Sequence, residues 1–420
     1  CQSLGIIPVP MPYIRGTRQF SRLNNIMQDA GAVVLLCAEE SVAVIDKGLA
    51  GSLQLIATRL GTQELTADEP NDIAFIQYTS GSTSTPKGVI VRQSSLMHNQ
   101  EMIREAFGCD ADSVIFSWLP FHHDMGLIGN ILHAVYTGCS CVLMQPLAFM
   151  QTPALWLRAI SEYKITHSGG PDFAYNLCVE KIPAGSIPEL DLSHWQVAYN
   201  GSEPVKERTL ERFAEHFREA GFRKEAFYPC YGLAEATLLV SGLKKDNNVR
   251  RRNGVLSSGQ IASGMQVKIF SADGLEVNEG EICIAGESVT AGYWNRDNKD
   301  LFYDVDGIPF LRTGDIGFLD NNELFINGRI KEMLIVRGEN YYPHDIELAV
   351  AETDPCFEPG GIAVFSDGDD ILVVTEIKRV LHTKMDAPVL IDSIRKIVTG
   401  ICGLMPVDVA DSAGWYSENH

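Results

Sequence analysis

Short apolar runs alternate with helix-patterned stretches through the first half of the chain, and this alternation most restricts its fold. Ile73–Tyr78, Val114–Leu119, Cys139–Met144, Ile165–Gly169, Trp195–Asn200 and Phe227–Tyr231 each read as a short buried strand. The clearest intervening helix is EPVKERTLERFAEHFREAG, with Pro204 in the first turn, Leu210, Phe213 and Phe217 on one face, and Gly221 as the stop. Such alternation predicts an α/β fold with parallel-rich sheets.

The texture then changes twice. From about Val267, VKIFS, GEICIAG and LFING are short strands between Gly, Asp and Asn turns. They predict a small, antiparallel, β-barrel-like subdomain over about 255–327. After Gly328 come a strand in EMLIVRG, a helix in PHDIELAVAET opened by Pro343, strands in GIAVFS and DILVVTEIK, and a helix in VLIDSIRKIVTGI. These predict a small α+β domain over 328–420, behind a large domain over 1–327.

Charge narrows the partners. The chain carries 34 Lys and Arg against 54 Asp and Glu, a net charge of −20, which argues against a nucleic-acid partner. No apolar run is long enough to span a bilayer, so no integral membrane segment is expected. The ten cysteines include no CxxC pair, although Cys139 and Cys141 are close. Reduced thiols in a cytoplasmic protein are the expectation.

The stretch QYTSGSTSTPKGVIV carries the first chemical signal. A buried strand ends near Tyr78, and hydroxyl side chains, Gly81 and Lys87 follow at once. Backbone N–H groups and hydroxyls surround phosphate oxygens well, and a lysine adds a mobile positive charge. The spacing is not that of GxxxxGK[ST], so an ordinary P-loop is disfavoured. Taken alone, the stretch also suits a polar surface loop.

Further motifs follow in order: YGLAEAT at Tyr231–Thr237, RTGD at Arg312–Asp315, and GRIKEMLIVRGENYYP at Gly328–Pro343. Together they resemble the adenylate-forming superfamily, and the resemblance covers nearly the whole chain. SWLPFHHDMGLIGNIL, SGGPDFAYNLCV, VAYNGSEPV and EAFYPCYGLAEATLLVSG resemble its fatty acyl-AMP ligases. The resemblance implies ATP-dependent conversion of a fatty acid to an acyl-adenylate, with Mg2+, and transfer to an acyl carrier protein. Such carriers commonly serve polyketide, nonribosomal peptide or lipid assembly lines.

The resemblance also implies roles. Thr79, Ser80, Gly81, Ser82 and Thr83, with Lys87, would hold the β and γ phosphates. Glu235 would hold the metal, together with Thr79; a helix-start acid facing the macrodipole is the alternative for Glu235. Tyr231 would stack on adenine beside Gly232, and Asn200, Gly201, Ser202 and Glu203 would line the adenine and ribose. A core aromatic and a helix-capping turn are the respective alternatives. Asp315 would accept from the ribose hydroxyls, and Arg329 would reach the ribose or α-phosphate. His123, in HHDMG, would orient the acyl carboxylate; adjacent His122 points elsewhere, which disfavours a metal pair. Gly169, Gly170, Pro171 and Phe173 would wall the acyl tunnel, or simply pack. Lys331 would mark a hinge of the small domain.

One family feature has no match. The resemblance implies a lysine in a Gly/Ser/Pro-rich loop near the end of the small domain, whereas the last lysine here, Lys396, lies in a helix pattern. Cys rather than Met stands at position 1, and SGLKKDNNVRRRNGV is shorter than the family segment. The sequence is therefore expected to be an excerpt, with the lysine loop outside it. Two rival readings follow: a fatty acyl-CoA synthetase on the same scaffold, and a catalytically weak acyl-adenylate-binding module.

Overall fold

The computed structural model describes residues 1, 4–12, 20–42, 45, 54–58, 71–79, 86–243, 249–336, 339–367, 370–378, 386–402, 408–411 and 414–416. Two compact units divide the chain. One comprises Cys1–Thr313 and Phe318–Ile326, the other Gly314–Gly317 and Asn327–His420.

In the first unit, β1 (Val34–Ala38) and β2 (Gln54–Thr58) form a parallel pair. Strands β3 (Ile73–Thr79) and β4 (Lys87–Arg92) pair antiparallel, with Thr79 opposite Lys87. The apolar run at Ile73–Tyr78 is therefore a strand, but it lies outside the parallel sheet. That sheet comprises β5 (Val114–Ser117), β6 (Ser140–Leu143), β7 (His167–Gly170), β8 (Val197–Asn200) and β9 (Phe227–Gly232). All its pairings are parallel, in the order β9-β8-β7-β5-β6. Crossovers between parallel strands need a dozen or more residues, which the helices here supply. Beyond β9 come β10 (Leu239–Gly242), β11 (Arg251–Arg252) and β12 (Val255–Ile261). Further on are β13 (Met265–Phe270), β14 (Glu279–Gly286), β15 (Phe302–Val305), β16 (Ile308–Asp320) and β17 (Glu323–Arg329). The β-rich strands extend the same sheet, in the order β13-β14-β16-β17-β12-β10-β9, with an open edge at β13.

Aromatic packing holds the parallel sheet to its helices. Trp156, Tyr175, Trp195, Phe213, Phe217 and Phe227 are all essentially sealed from solvent. Their rings meet mostly edge to face: Trp156 on Trp195 at 5.3 Å, Tyr175 on Phe213 at 5.1 Å and Phe213 on Phe222 at 4.9 Å. This is the geometry that ring quadrupoles favour. The helix carrying Phe213 spans Glu207–His216, so it begins after Pro204 rather than at it. Residues 201–206 form a turn instead, with Ser202 left-handed at φ 71°. Buried Asp172 accepts the Lys206 N–H at 3.2 Å and so helps fix where the helix starts.

The second unit has its own core. Strands β18 (Leu334–Val336) and β19 (Glu339–Tyr341) form a ribbon. Strands β20 (Phe357–Asp367), β21 (Asp370–Ile377), β22 (Asp408–Asp411) and β23 (Gly414–Tyr416) form a four-stranded sheet. Helices Pro343–Ala351 and Ala387–Cys402 contribute Ile346, Val350, Ile394 and Val398 to a core shared with Val364, Ile371 and Val373. Among the described residues, no helix is long and apolar enough to cross a membrane.

Phe213→Ala should destabilise the first unit by about 3–5 kcal/mol through loss of ring burial and the cavity left behind. Urea unfolding followed by tryptophan fluorescence, against wild type, measures the difference.

Candidate active site

Strands β3 and β4 bracket the hydroxyl-rich segment. Ser80, Gly81, Ser82 and Thr83 lie outside the described residues, but its two anchors, Thr79 and Lys87, face each other across the ladder. Tyr78 fixes the end of β3 by donating its hydroxyl to Asp29 Oδ2 at 2.6 Å. Asp29 also pairs with Arg296 at 2.8 Å, which ties the strand to the 290s segment.

That segment straps β4 from outside. Trp294 N–H donates to Gly88 O at 2.7 Å, and Ile90 N–H donates to Gly292 O at 3.2 Å. Tyr293 forms a bridge with Val89. The strap also holds the turn carrying Glu235. Thr290 N–H donates to Glu235 O at 2.7 Å, and Thr237 Oγ1 donates to Ser288 O at 2.7 Å. Thr237 has φ 69°, a conformation that a β-branched residue adopts only under constraint. Glu235 sits in a three-residue 3-10 turn, Ala234–Ala236, so the helix-macrodipole account of this acid does not hold.

Tyr293 brings the two charged residues together. Lys87 Nζ lies 4.8 Å from the centre of its ring, and its hydroxyl donates to Glu235 Oε1 at 2.6 Å. Burial and the Glu235 charge push the phenol far above its ordinary range, so it stays protonated. The motif reading missed Tyr293. It stands in AGYWNRD, which reads from sequence as an aromatic followed by a turn.

Nearby, β8 ends at Asn200, and Gly201 is buried beside Cys230. Asn200 Nδ2 donates to Asp172 Oδ1 at 3.0 Å, and Thr209 Oγ1 donates to Asp172 Oδ2 at 2.6 Å. Burial raises the Asp172 pKa despite these donors. Exposed Glu203 accepts the Phe173 N–H at 2.6 Å, linking the 200s turn to the start of helix Asp172–Lys181. Tyr231 and Gly232 close β9, with Tyr231 half-buried against the β-rich core.

His123 precedes the turn Asp124–Gly126. Its Nδ1 lies 2.7 Å from Asp124 Oδ1, and this contact raises the imidazole pKa. His122 is shifted the other way, mainly by burial. The two histidines therefore occupy different environments. Gly169 and Gly170 are buried where close packing excludes any side chain. A Cβ would lie 2.0 Å from Tyr199 O at the first and 2.6 Å from Trp118 Cζ2 at the second. Pro171 precedes the helix, and Phe173, 40% exposed, meets Trp118 at 6.3 Å edge to face.

In the second unit, Asp315 is 4% exposed and pairs with Arg329 Nε at 2.9 Å. Ile330 N–H donates to Gly314 O at 2.9 Å, which holds the two segments side by side. Lys331 is exposed in the turn that follows β17.

Residues 1–294 match the model of the AMP-binding enzyme family. The chain belongs to that family. Within it, the chain is 37% identical to the medium-chain-fatty-acid–[acyl-carrier-protein] ligase JamA of Moorena producens, over 95% of this chain and 76% of that one. It is 33% identical to the putative fatty-acid–CoA ligase FadD21 of Mycobacterium tuberculosis, over 94% of this chain and 77% of that one. Among solved structures, it is similar to a fatty acyl-adenylate ligase from L. pneumophila in complex with acyl adenylate and pyrophosphate. There the TM-score is 0.72 at 35% identity, over 94% of this chain and 76% of that one. Within the AMP-binding family, the similarity thus runs to fatty acyl-AMP ligases.

Because its pKa is raised by Asp124, a protonated His123 stabilises the fold. That contribution is full below histidine's ordinary pKa and is lost as pH rises through the raised one. Asp124→Asn should lower the pKa of His123, as read by NMR titration of histidine-labelled protein.

Proposed function

We propose that this chain is a fatty acyl-AMP ligase. A fatty-acid carboxylate oxygen attacks the α-phosphorus of ATP, the bond to the bridging oxygen breaks, and pyrophosphate leaves. A phosphopantetheine thiol of an acyl carrier protein then attacks the acyl carbon and AMP departs. The observation that carries this reading is the meeting of Lys87 and Glu235 on Tyr293. It sets a cation and an anion side by side at the edge of a hydroxyl-rich segment.

The reaction joins two anions, so its barrier is mainly electrostatic and orientational. Lys87 supplies positive charge for the β and γ phosphates, aided by Thr79, Ser80, Gly81, Ser82 and Thr83. The donor set fits Mg2+, which keeps several waters and takes one or two carboxylates plus substrate phosphates. Glu235 and the Thr79 hydroxyl would hold it, and when bound it neutralises phosphate charge. Among the described residues, no cluster of three or more His, Cys, Asp or Glu suits a tighter all-protein metal site.

Asn200, Gly201, Ser202, Glu203, Tyr231 and Gly232 are assigned to the nucleoside, on the end of the parallel sheet where α/β folds bind ligands. Asp315 and Arg329 are assigned to the ribose and α-phosphate. The assignment is supported by their pairing, which holds the Arg329 guanidinium 2.9 Å from the Asp315 carboxylate. His123 orients the acyl carboxylate, a task suited to an imidazole whose pKa its contact with Asp124 raises. Phe173 offers apolar surface to the acyl chain, with Gly169, Gly170 and Pro171 behind it. Residues 1–327 form the catalytic domain in this reading, and 328–420 a mobile one hinged at Lys331. Ten free thiols support a cytoplasmic setting, and an assembly-line carrier supports polyketide or peptide chemistry.

The FadD21 likeness favours a second reading, transfer to coenzyme A. Full-length protein, loaded with fatty acid and ATP, should acylate a carrier protein much faster than coenzyme A; the reverse preference overturns the proposal. Lys87→Ala and Glu235→Ala should each slow fatty-acid-dependent ATP–pyrophosphate exchange roughly 100-fold or more while folding normally.

A further inference from the structure

We infer that Gln77 is a positioning residue: through its side-chain amide, the strand that leads into the phosphate segment holds the histidine that orients the acyl carboxylate. The inference rests on the roles proposed above for His123 and for that segment, and it deepens them.

The backbone is fastened on both sides of His123. A peptide unit is planar, so bonds to both of its polar ends fix its orientation. In the unit joining His122 to His123, the carbonyl accepts from Gln77 Nε2 at 2.6 Å and the N–H donates to Pro120 O at 3.1 Å. In the next unit, His123 O accepts the Leu127 N–H at 2.9 Å. With both flanking units held, the point from which the imidazole leaves the chain is held too. Two of these three bonds are local to residues 120–127. The bond from Gln77 comes from another element, 45 residues away in sequence.

That element is the one the reaction requires. Gln77 stands in β3 two residues before Thr79, and its register with β4 is regular from Phe75 to Thr79. Strand side chains alternate, so Phe75, Gln77 and Thr79 leave one face of the ribbon. Phe75 shares a core cluster with Leu127 and Ile128, just past His123. Apolar contact thus seats this face on the histidine segment, and Gln77 adds a directional bond. Attack of a carboxylate on phosphorus needs the two reactants close and aligned, and a buried amide joining their two supports serves that end. Gln77 is 2% exposed, and its Oε1 has no hydrogen-bond partner among the described residues. An orphaned buried acceptor weakens a fold, so packing alone would favour an apolar side chain here. What the glutamine contributes is its donor.

A double-mutant cycle separates this role from a merely structural one. The near-isosteric Gln77→Met lacks the donor. ATP–pyrophosphate exchange by the full-length protein is driven by decanoate or hexadecanoate, whichever supports the faster exchange. Gln77→Met should lower kcat/KM for the acid about tenfold, less than the roughly 100-fold that an ångström of misplacement can cost. Its affinity for a nonhydrolysable ATP analogue should stay within about twofold of wild type, and adding Gln77→Met to His123→Ala should cost no more than about twofold further. Wild-type kcat/KM in Gln77→Met overturns the inference. So does an equal loss of nucleotide affinity, or the same tenfold cost in both backgrounds; either marks a general distortion. If His123→Ala exchanges like wild type, the reading of His123 fails and takes the inference with it. Should Gln77→Met not fold, Gln77→Asn, too short by one methylene to reach His122 O, enters the same cycle with the same outcomes.

Discussion

The candidate site depends on the strap of residues 288–294 and its backbone hydrogen bonds. Three stretches of chain, near residues 90, 235 and 290, meet here, and this segment hydrogen-bonds to both of the others. It accepts from Ile90 and donates to Gly88 on one side; it donates to Glu235 and accepts from Thr237 on the other. Buried backbone groups must find partners, so each of these bonds fixes a position as well as adding stability. The left-handed Thr237 shows the constraint working, since the turn holds a β-branched residue where it would not otherwise sit.

From that junction follows the electrostatic character of the site. The parallel sheet delivers Asn200 and Tyr231 at its strand ends, and the antiparallel pair β3–β4 delivers Lys87. The β-rich region delivers the strap. Each is a rigid element with its own core, so charged side chains are placed without long flexible tethers. Preorganised charge is effective because little reorganisation remains to be done when the reaction begins.

Much of this was legible in the sequence. The six apolar runs are strands, the changes of texture coincide with the β-rich region and with the α+β strands and helices, and the Lys87 and Glu235 motifs lie in one neighbourhood. Local pattern failed where long-range contact decided the outcome. Pro204 looked like a helix start, but a buried carboxylate on another helix claims the Lys206 N–H and moves the start to Glu207. Ile73–Tyr78 carried the same apolar signal as the parallel strands, because burial does not encode direction of pairing. Tyr293 was invisible because its meaning lies in two partners about 60 and 200 residues away in sequence, which no spacing rule reaches.

Two acids in the first unit show why position rather than type decides the reading. Asp172 and Glu235 both open short motifs near turns, and both accept hydrogen bonds from neutral donors. Asp172 is 3% exposed, and its carboxylate takes Asn200, Thr209 and the Lys206 N–H, all from the protein. A carboxylate sealed in that way organises its neighbours and has no route to an incoming ion; its raised pKa reflects the burial. Glu235 is only partly buried, and its Oε1 accepts from the Tyr293 hydroxyl, whose ring lies 4.8 Å from Lys87 Nζ. The same carboxylate chemistry is thus sealed into the framework at Asp172 and left partly open to solvent at Glu235.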